Sequence, residues 1–421
     1  MSSSPSTPRE ALILGGNRIP FARAHGPYAA VSAQDMLTAT LEGLIARFGL
    51  QGERLGAVGG GAVLKHPRNF NLVRESVLGT ALDPTTPAYD VQMACATGME
   101  AIGSVADKIR LGRIDSGVGC GADSISDAPI VVTDELQAVL MKASRAKTAA
   151  SRLAALSTLR PGHLLPQAPG VDEPRTGMSM GEHMAVTAHR MGISREDQDA
   201  IALASHRRLA AAYDAGFFDD LITAFRSVTL DTILRPDTTA EKLAGLDPVF
   251  GKDLGEEATL TAGNSTALTD GAAAVLLSSQ DWAEEHNLPV LASFLDYEQA
   301  AVDFVDGAEG LLMAPVQAAE RLLRRHDMQL EDFEYVEIHE AFAATVLAHT
   351  TGWEERGLGR ADPERINVVG SSLAAGHPFA ATGPRIVATT AKLLHGQPGA
   401  RALISVCAAG GQGITAIIEG R

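Results

Sequence analysis

Cysteine is scarce: 421 residues contain only Cys95, Cys120 and Cys407, and no two form a CxxC pair. This leaves neither a disulfide framework nor a zinc pattern. Positive charge is also short, with 35 Lys and Arg against 51 Asp and Glu and a formal charge of −16. That balance argues against general nucleic-acid binding and leaves room only for a local basic patch. No apolar run reaches membrane-spanning length. The opening MSSSPSTPRE has no apolar segment of the secretory kind, and the closing Ile418-Glu419-Gly420-Arg421 is not a peroxisomal address. A cytoplasmic, reduced protein is expected. The rest is ordinary globular composition, 45% hydrophobic and 20% charged, with length for two or three domains.

Against these absences one stretch stands out, Ile366 to Gly413, INVVGSSLAAGHPFAATGPRI…RALISVCAAGGQG. It reads as strand, glycine turn, His-Pro, helix, strand, then a cysteine and Ala-Ala-Gly-Gly. Pro378 suits a first helical position, which would set His377 at a helix mouth near the positive end of the dipole. Cys407 ends the apolar run Ala402 to Val406.

From Ala11 the chain alternates strands and helices. ALILGG is a strand, and Ser32–Leu50 a helix with Ser32 as N-cap and Gly49 as stop. A strand over TPAYDVQMAC ends at Cys95, MEAIGSVADKIRLG is the next helix, and IDSGVGCGADSIS a buried strand. This alternation implies a largely parallel α/β sheet. The last third repeats the order, and the letters echo it. Cys95-Ala-Thr-Gly lines up with Ala380-Ala-Thr-Gly, and in each copy a helix, a glycine (Gly112, Gly396) and a cysteine-bearing strand follow (Cys120, Cys407). Duplication is the better reading. Two similar halves are expected, 8–129 with 247–285 and 286–421, separated by an inserted, helix-rich cap over 130–246. Within the insert Lys142, Arg145, Lys147, Arg152 and Arg160 form a basic run. A solvated helix face is the plain reading; a phosphate-bearing substrate, an acidic partner or a membrane surface is the functional one.

Cys95 opens a helix, a position that lowers a thiol pKa, and a neighbouring histidine could take its proton. A lone cysteine is more often inert and buried, but Cys95 and Cys407 both end strands at one sheet edge. Cys120, flanked by glycines within a strand, is core.

Six motifs in order carry a resemblance: QMACATG around Cys95, SMGEHMA (Ser179–Ala185), TAGNSTALTDGAAA (Thr261–Ala274), HEAFA (His339–Ala343), GHPFAATG (Gly376–Gly383) and CAAGGQG (Cys407–Gly413). Together they resemble the thiolase family over nearly the whole chain. The resemblance implies a duplicated five-layered α-β-α-β-α fold with an inserted loop domain. It implies CoA-dependent thiolytic cleavage of 3-ketoacyl-CoA, or the reverse condensation, through an acyl-cysteine. Cys95 would be the nucleophile, His377 its base, and Cys407 the acid/base at the α-carbon. One oxyanion hole would use His377 and His339, through a water; the other would use the backbone N–H of Cys95 and of Ala409. Met180, Thr266 and Phe342 would line the pantetheine tunnel. No metal and no permanently bound cofactor is implied, since coenzyme A is a substrate, and no P-loop or GxGxxG is present or needed.

Two departures stand in the motifs: many thiolases have Asn at His339 and Gly at Ala409. With HPFAATG and the basic insert, they look like the β-subunit type of the fatty-acid-oxidation complex. That type implies a role in β-oxidation and an enoyl-CoA hydratase/3-hydroxyacyl-CoA dehydrogenase subunit as partner. A homodimer or dimer of dimers is implied as well. Three alternatives stay open: a short-chain acetoacetyl-CoA-specific acetyltransferase, a β-ketoacyl synthase, and a non-catalytic scaffold of the same fold. Cys407 speaks against the synthase. The presence of Cys95, His377 and Cys407 together speaks against the scaffold.

Overall fold

The computed structural model describes residues 9–167, 169–170, 172–306 and 309–421; the polar stretch expected at the start lies outside them. Strands are β1 Leu12–Arg18, β2 Ala22–Arg23, β3 Ala57–Gly60, β4 Ala88–Asp90, β5 Ser116–Asp123, β6 Thr269–Ser278, β7 Ala292–Ala301, β8 Tyr335–Ile338, β9 Arg401–Ala408 and β10 Gln412–Gly420. Helices in the first half are α1 Ala33–Phe48, α2 Leu72–Leu78 and α3 Thr97–Arg110. The excursion between β5 and β6 holds α4 Asp134–Arg145, α5 Ala149–Leu156, α6 Met180–Arg190, α7 Arg195–Asp214 and α8 Ala240–Ala244. Then come α9 Gln280–Glu285, α10 Ala314–His326, α11 Ala343–Glu355, α12 Ser372–Ala375 and α13 Thr382–Leu394. Ser32 and Asp35 close a capping box at the start of α1, and Gly49 ends it at φ 67°, both as the sequence indicates.

The strands run β4-β3-β5-β6-β1-β7-β10-β9-β8, with β2 beside β6. Setting β2 aside, each half repeats one order. In the first, β3 lies parallel to β4 and β5, and β5, β6 and β1 follow antiparallel. In the second, β8 lies parallel to β9, and β9, β10 and β7 follow antiparallel. The strand expected over Ile366–Val369 shrinks to one parallel bridge, Ile366 to Val336. It stands where β4 stands in the other half. The expectation of a largely parallel sheet is corrected. Among the described residues the parallel pairs are β3 with β4, β3 with β5 and β8 with β9; β6 returns antiparallel to β5 after the whole helical excursion, and a tight turn can join only antiparallel neighbours. β9 and β10 show the rule, linked by three residues with Gly410 at φ 77° and Gly411 at φ 68°.

Alternation along the strands creates five layers. Leu12, Leu14, Ala274 and Leu276 face α1 and α2 in one core. Ala11, Ile13, Val275 and Leu277 face the opposite way and meet α3, α13 and the inner residues Ile404, Val406, Ile414 and Ala416 of the second half. Leu403 and Ile417 point outward into a third core with α10 and Trp353 of α11. α3 and α13 therefore form the middle layer. They cross closely: a β-carbon at Gly98 would stand 2.4 Å from Pro384 Cδ, and one at Gly383 2.6 Å from Met99 N. The repeated Ala-Thr-Gly is where the two halves touch.

The excursion is tied to this frame by a buried ion pair. Arg18 at the end of β1 donates Nη1 and Nη2 to the two carboxylate oxygens of Asp231 at 2.6 and 2.7 Å. Asp231 also accepts from Phe21 N at 2.7 Å and Tyr213 Oη at 2.8 Å. Removing one partner strands a charge in the interior, which costs far more than the intact pair contributes. Asp231→Ala is therefore expected to cost about 3–5 kcal/mol in urea unfolding. A change within error of zero would show that water reaches Arg18 and the pair is dispensable.

Candidate active site

The sequence carries β4 as far as Cys95, but the strand ends at Asp90, and the chain bends before the cysteine. Ala94 takes φ 44°, a left-handed conformation that a β-carbon disfavours and that its surroundings must enforce. Thr97 does so: its Oγ1 accepts from Met93 N at 2.8 Å and donates to the Ala94 carbonyl at 2.7 Å. Cys95 is thereby presented on an elbow, two residues before α3.

His377 arrives from the other half. Its N–H donates to Thr269 Oγ1 at 2.8 Å. Pro378 is not the first residue of the helix, as its position suggested. At ψ 76° it caps a short 3-10 turn, Phe379–Ala381, and α13 begins only at Thr382. The turn is pulled out of α-helical form because Ala380 N donates to Asp123 Oδ2 at 2.9 Å. The Ala380 carbonyl then lies so close that a β-carbon at Gly121 would stand 2.0 Å from its oxygen. The histidine Nδ1 is 2.5 Å from Thr382 Oγ1, and its Nε2 is 3.1 Å from Cys95 Sγ.

Cys95 and His377 meet as expected, but their electrostatics do not follow from the helix dipole. Burial pushes the Cys95 thiol up to about 12, against backbone hydrogen bonds from Ala409 and from Cys95 itself, and the Asp123 and Glu173 carboxylates add to the rise. Burial, with Arg385 nearby, lowers His377 to about 3. The expected lowered thiol pKa is thus corrected: desolvation of the thiolate outweighs the fractional charge at the start of α3. At rest the pair is a neutral thiol beside a neutral imidazole. Cys407 lies at the inner end of β9, 1% exposed. Burial raises its pKa too, and the neighbouring Cys95 adds to it, so this second thiol also rests protonated.

Ala409 keeps an ordinary φ, since the left-handed positions of its turn fall on Gly410 and Gly411. Its N–H is free to reach Cys95, as the hydrogen bond to the thiol shows. Gly410 N, next along, donates to Glu173 Oε1 of the excursion at 2.6 Å. His339 is fully buried, its ring 4.1 Å from that of His377, with Nδ1 2.8 Å from Ser372 Oγ and Nε2 without a partner. Met180 and Phe342 share one apolar cluster with Cys407. Thr266 N donates to the Ala341 carbonyl at 3.1 Å, and Thr266 lines a cleft of about 450 Å³ together with Phe250, Leu268, Leu373, Arg23 and Arg235. The basic run Lys142, Arg145, Lys147, Arg152 and Arg160 is exposed on the excursion and is not among the residues lining that cleft. Among the described residues no group of three or more His, Cys, Asp or Glu could hold a metal, and no helix is long and apolar enough to cross a membrane.

Sequence reasoning missed Asp123, Glu173, Thr269, Ser372 and Arg385. Asp123 had a signal, a carboxylate closing the small, apolar run GVGCGA. Glu173 had none, because its partner is 237 residues away in a turn.

Residues 11–281 match the family model of the thiolase N-terminal domain, and residues 288–420 that of the thiolase C-terminal domain. A 3-ketoacyl-CoA thiolase of Yersinia pestis is 38% identical over 425 residues, covering 97% of this chain and 96% of that protein. A crystal structure of the Bacillus anthracis acetyl-CoA acetyltransferase superposes with a TM-score of 0.84 at 29% identity, over 99% of this chain and 100% of the other. A human mitochondrial 3-ketoacyl-CoA thiolase in complex with CoA gives 0.81 at 26%, over 98% of each chain.

A thiol held protonated by burial should alkylate slowly at neutral pH and faster as pH rises. Reaction of the Cys95 peptide with iodoacetamide, followed by mass spectrometry, is expected to climb roughly tenfold per pH unit from about pH 6 to about pH 9. A plateau beginning near pH 7 would reveal a resting ion pair and overturn the neutral pair.

Proposed function

The chain belongs to the thiolase family, and from that premise we propose how its own residues divide the work of this acyltransferase. Cys95 attacks the 3-keto carbon of a 3-ketoacyl-CoA while His377 Nε2 takes its proton. The single observation that carries this reading is the 3.1 Å contact between Sγ and Nε2. Two uncharged partners suit it, since the proton moves only when the electrophile arrives and no stable ion pair must be dismantled first. Collapse of the tetrahedral adduct breaks the C2–C3 bond, leaves the acyl group on Cys95, and releases acetyl-CoA as an enolate that Cys407 protonates. The thiolate of Cys407 then takes the proton of the incoming CoA thiol, whose sulfur attacks the acyl-cysteine. Cys95 leaves and recovers its proton from His377. Burial of Cys407 supports its part: a raised pKa brings the thiolate closer in basicity to the carbon acid it must serve in the reverse, condensing direction.

The oxyanions of the two steps fall to the Cys95 and Ala409 N–H groups and to His339 with His377. Coenzyme A enters along the cleft past Thr266 and reaches the apolar cluster of Met180 and Phe342 beside Cys407. Arg23 and Arg235 offer its phosphates positive charge in an otherwise acidic protein, and this favours them over the exposed basic run. The halves 8–129 with 247–285 and 286–421 flank the insert 130–246. The protein works in the cytoplasm as a homodimer or dimer of dimers, in β-oxidation, with a hydratase/dehydrogenase subunit as partner.

Cys95→Ala is expected to abolish the acyl-enzyme adduct seen by intact-mass spectrometry and to lower kcat by about 10³-fold or more. With acetyl-CoA as the acyl donor, Cys407→Ser should still acylate Cys95, while condensation to the 3-ketoacyl-CoA slows; loss of both steps together would reject the separate roles. Thiolysis of acetoacetyl-CoA beside a long-chain 3-ketoacyl-CoA should show the higher kcat/KM for the long chain. The opposite preference would assign a short-chain acetyltransferase.

A further inference from the structure

His339 is held by one nitrogen only. Its Nδ1 meets Ser372 Oγ at 2.8 Å, while Nε2 is buried with no partner. Burial, with His377, Arg385 and His349 close by, keeps the ring pKa well below its usual value. The ring is therefore neutral and carries a single proton, whose position decides whether Nε2 donates or accepts.

Arg385, on the first turn of α13 and 4% exposed, supplies that information. Its Nη2 donates to Ser371 Oγ at 3.1 Å and to Ser372 Oγ at 2.9 Å. A guanidinium has no acceptor, so Ser372 Oγ accepts there. The hydroxyl proton of Ser372 then has His339 Nδ1 as its one acceptor among the described contacts. Were the ring proton on Nδ1, two buried groups would go unpaired, the Ser372 hydroxyl proton and the Nε2 lone pair. With the proton on Nε2 one group is unpaired, a donor on a ring that lies 4.1 Å from that of His377.

We propose that Arg385 and Ser372 are positioning residues that fix His339 in its Nε2-protonated form, a preset donor for a thioester oxygen or for a water bound to it. The inference rests on the reading of His339 as an oxyanion donor. It explains how a histidine serves where an amide would donate without any such control. An imidazole can present either face of its chemistry, and two neighbours on α12 and α13 remove the choice.

A double-mutant cycle tests it. Ser372→Ala is expected to lower kcat for thiolysis roughly tenfold with KM little changed. In a His339→Asn background, where an amide always offers N–H, the same change should alter kcat less than about twofold. Equal losses in both backgrounds, or none with His339 present, would overturn the proposal. Ring ¹⁵N spectra of histidine-labelled enzyme give a second reading: His339 should show a protonated Nε2 in the wild type and a mixture of forms after Ser372→Ala, and a wild-type spectrum unchanged by the substitution would also overturn it. If His339→Ala keeps full kcat, the oxyanion reading itself fails, a result the spectra keep separate from the tautomer.

Discussion

The close crossing of α3 and α13 is the constraint on which the rest depends. Two glycines, Gly98 and Gly383, let the helices meet almost backbone to backbone, and everything reactive lies at the ends that this contact brings together. The threonine before each glycine serves its own half: Thr97 holds the elbow that presents Cys95, and Thr382 holds the ring of His377. Equivalent positions of the two halves thus take two tasks, holding the turn before Cys95 in one and the ring of His377 in the other. Any β-carbon at the crossing would separate the halves by more than the 3.1 Å contact can tolerate.

Burial governs the chemistry as firmly as geometry does. Thiols rise, imidazoles fall, and even the buried carboxylate of Glu337 is pushed up to about 8. Each of these shifts favours the neutral form, so the Cys95 thiol and the His377 ring meet the substrate uncharged, beside the Asp123 carboxylate and the Arg385 guanidinium. A transition state that develops charge there meets fixed N–H dipoles in place of mobile water, which is where preorganised donors contribute most. The site is built to be quiet until substrate arrives.

Most of this architecture was legible because its signals are local. Ser32 and Gly49 announce a helix, and the paired Ala-Thr-Gly segments announce a duplication. The motifs around Cys95, His377 and Cys407 point to one sheet edge. What stayed hidden is long-range. The antiparallel pairings, such as β5 with β6 across the whole excursion, join strands far apart in sequence. The raised pKa of Cys95 depends on surroundings contributed by Asp123 and Glu173, far along the chain. Strand ends were overextended at Cys95 and Ile366 because apolar letters continue past the last ladder bond, where the backbone turns toward side chains instead. Ser372 and Arg385 fall within the stretch that stands out, but nothing local marks their contact with each other and with His339.

The place of β1 bears on how the molecule is made. It lies between β6 and β7, so apart from a bridge from Arg18 to Ile222 it finds no strand partner until residues near 270 and beyond have been synthesised. At about 5–20 residues per second that wait is on the order of tens of seconds. Meanwhile Leu12, Ile13 and Leu14 form an apolar ribbon with both edges unpaired, suited to adding onto any exposed strand.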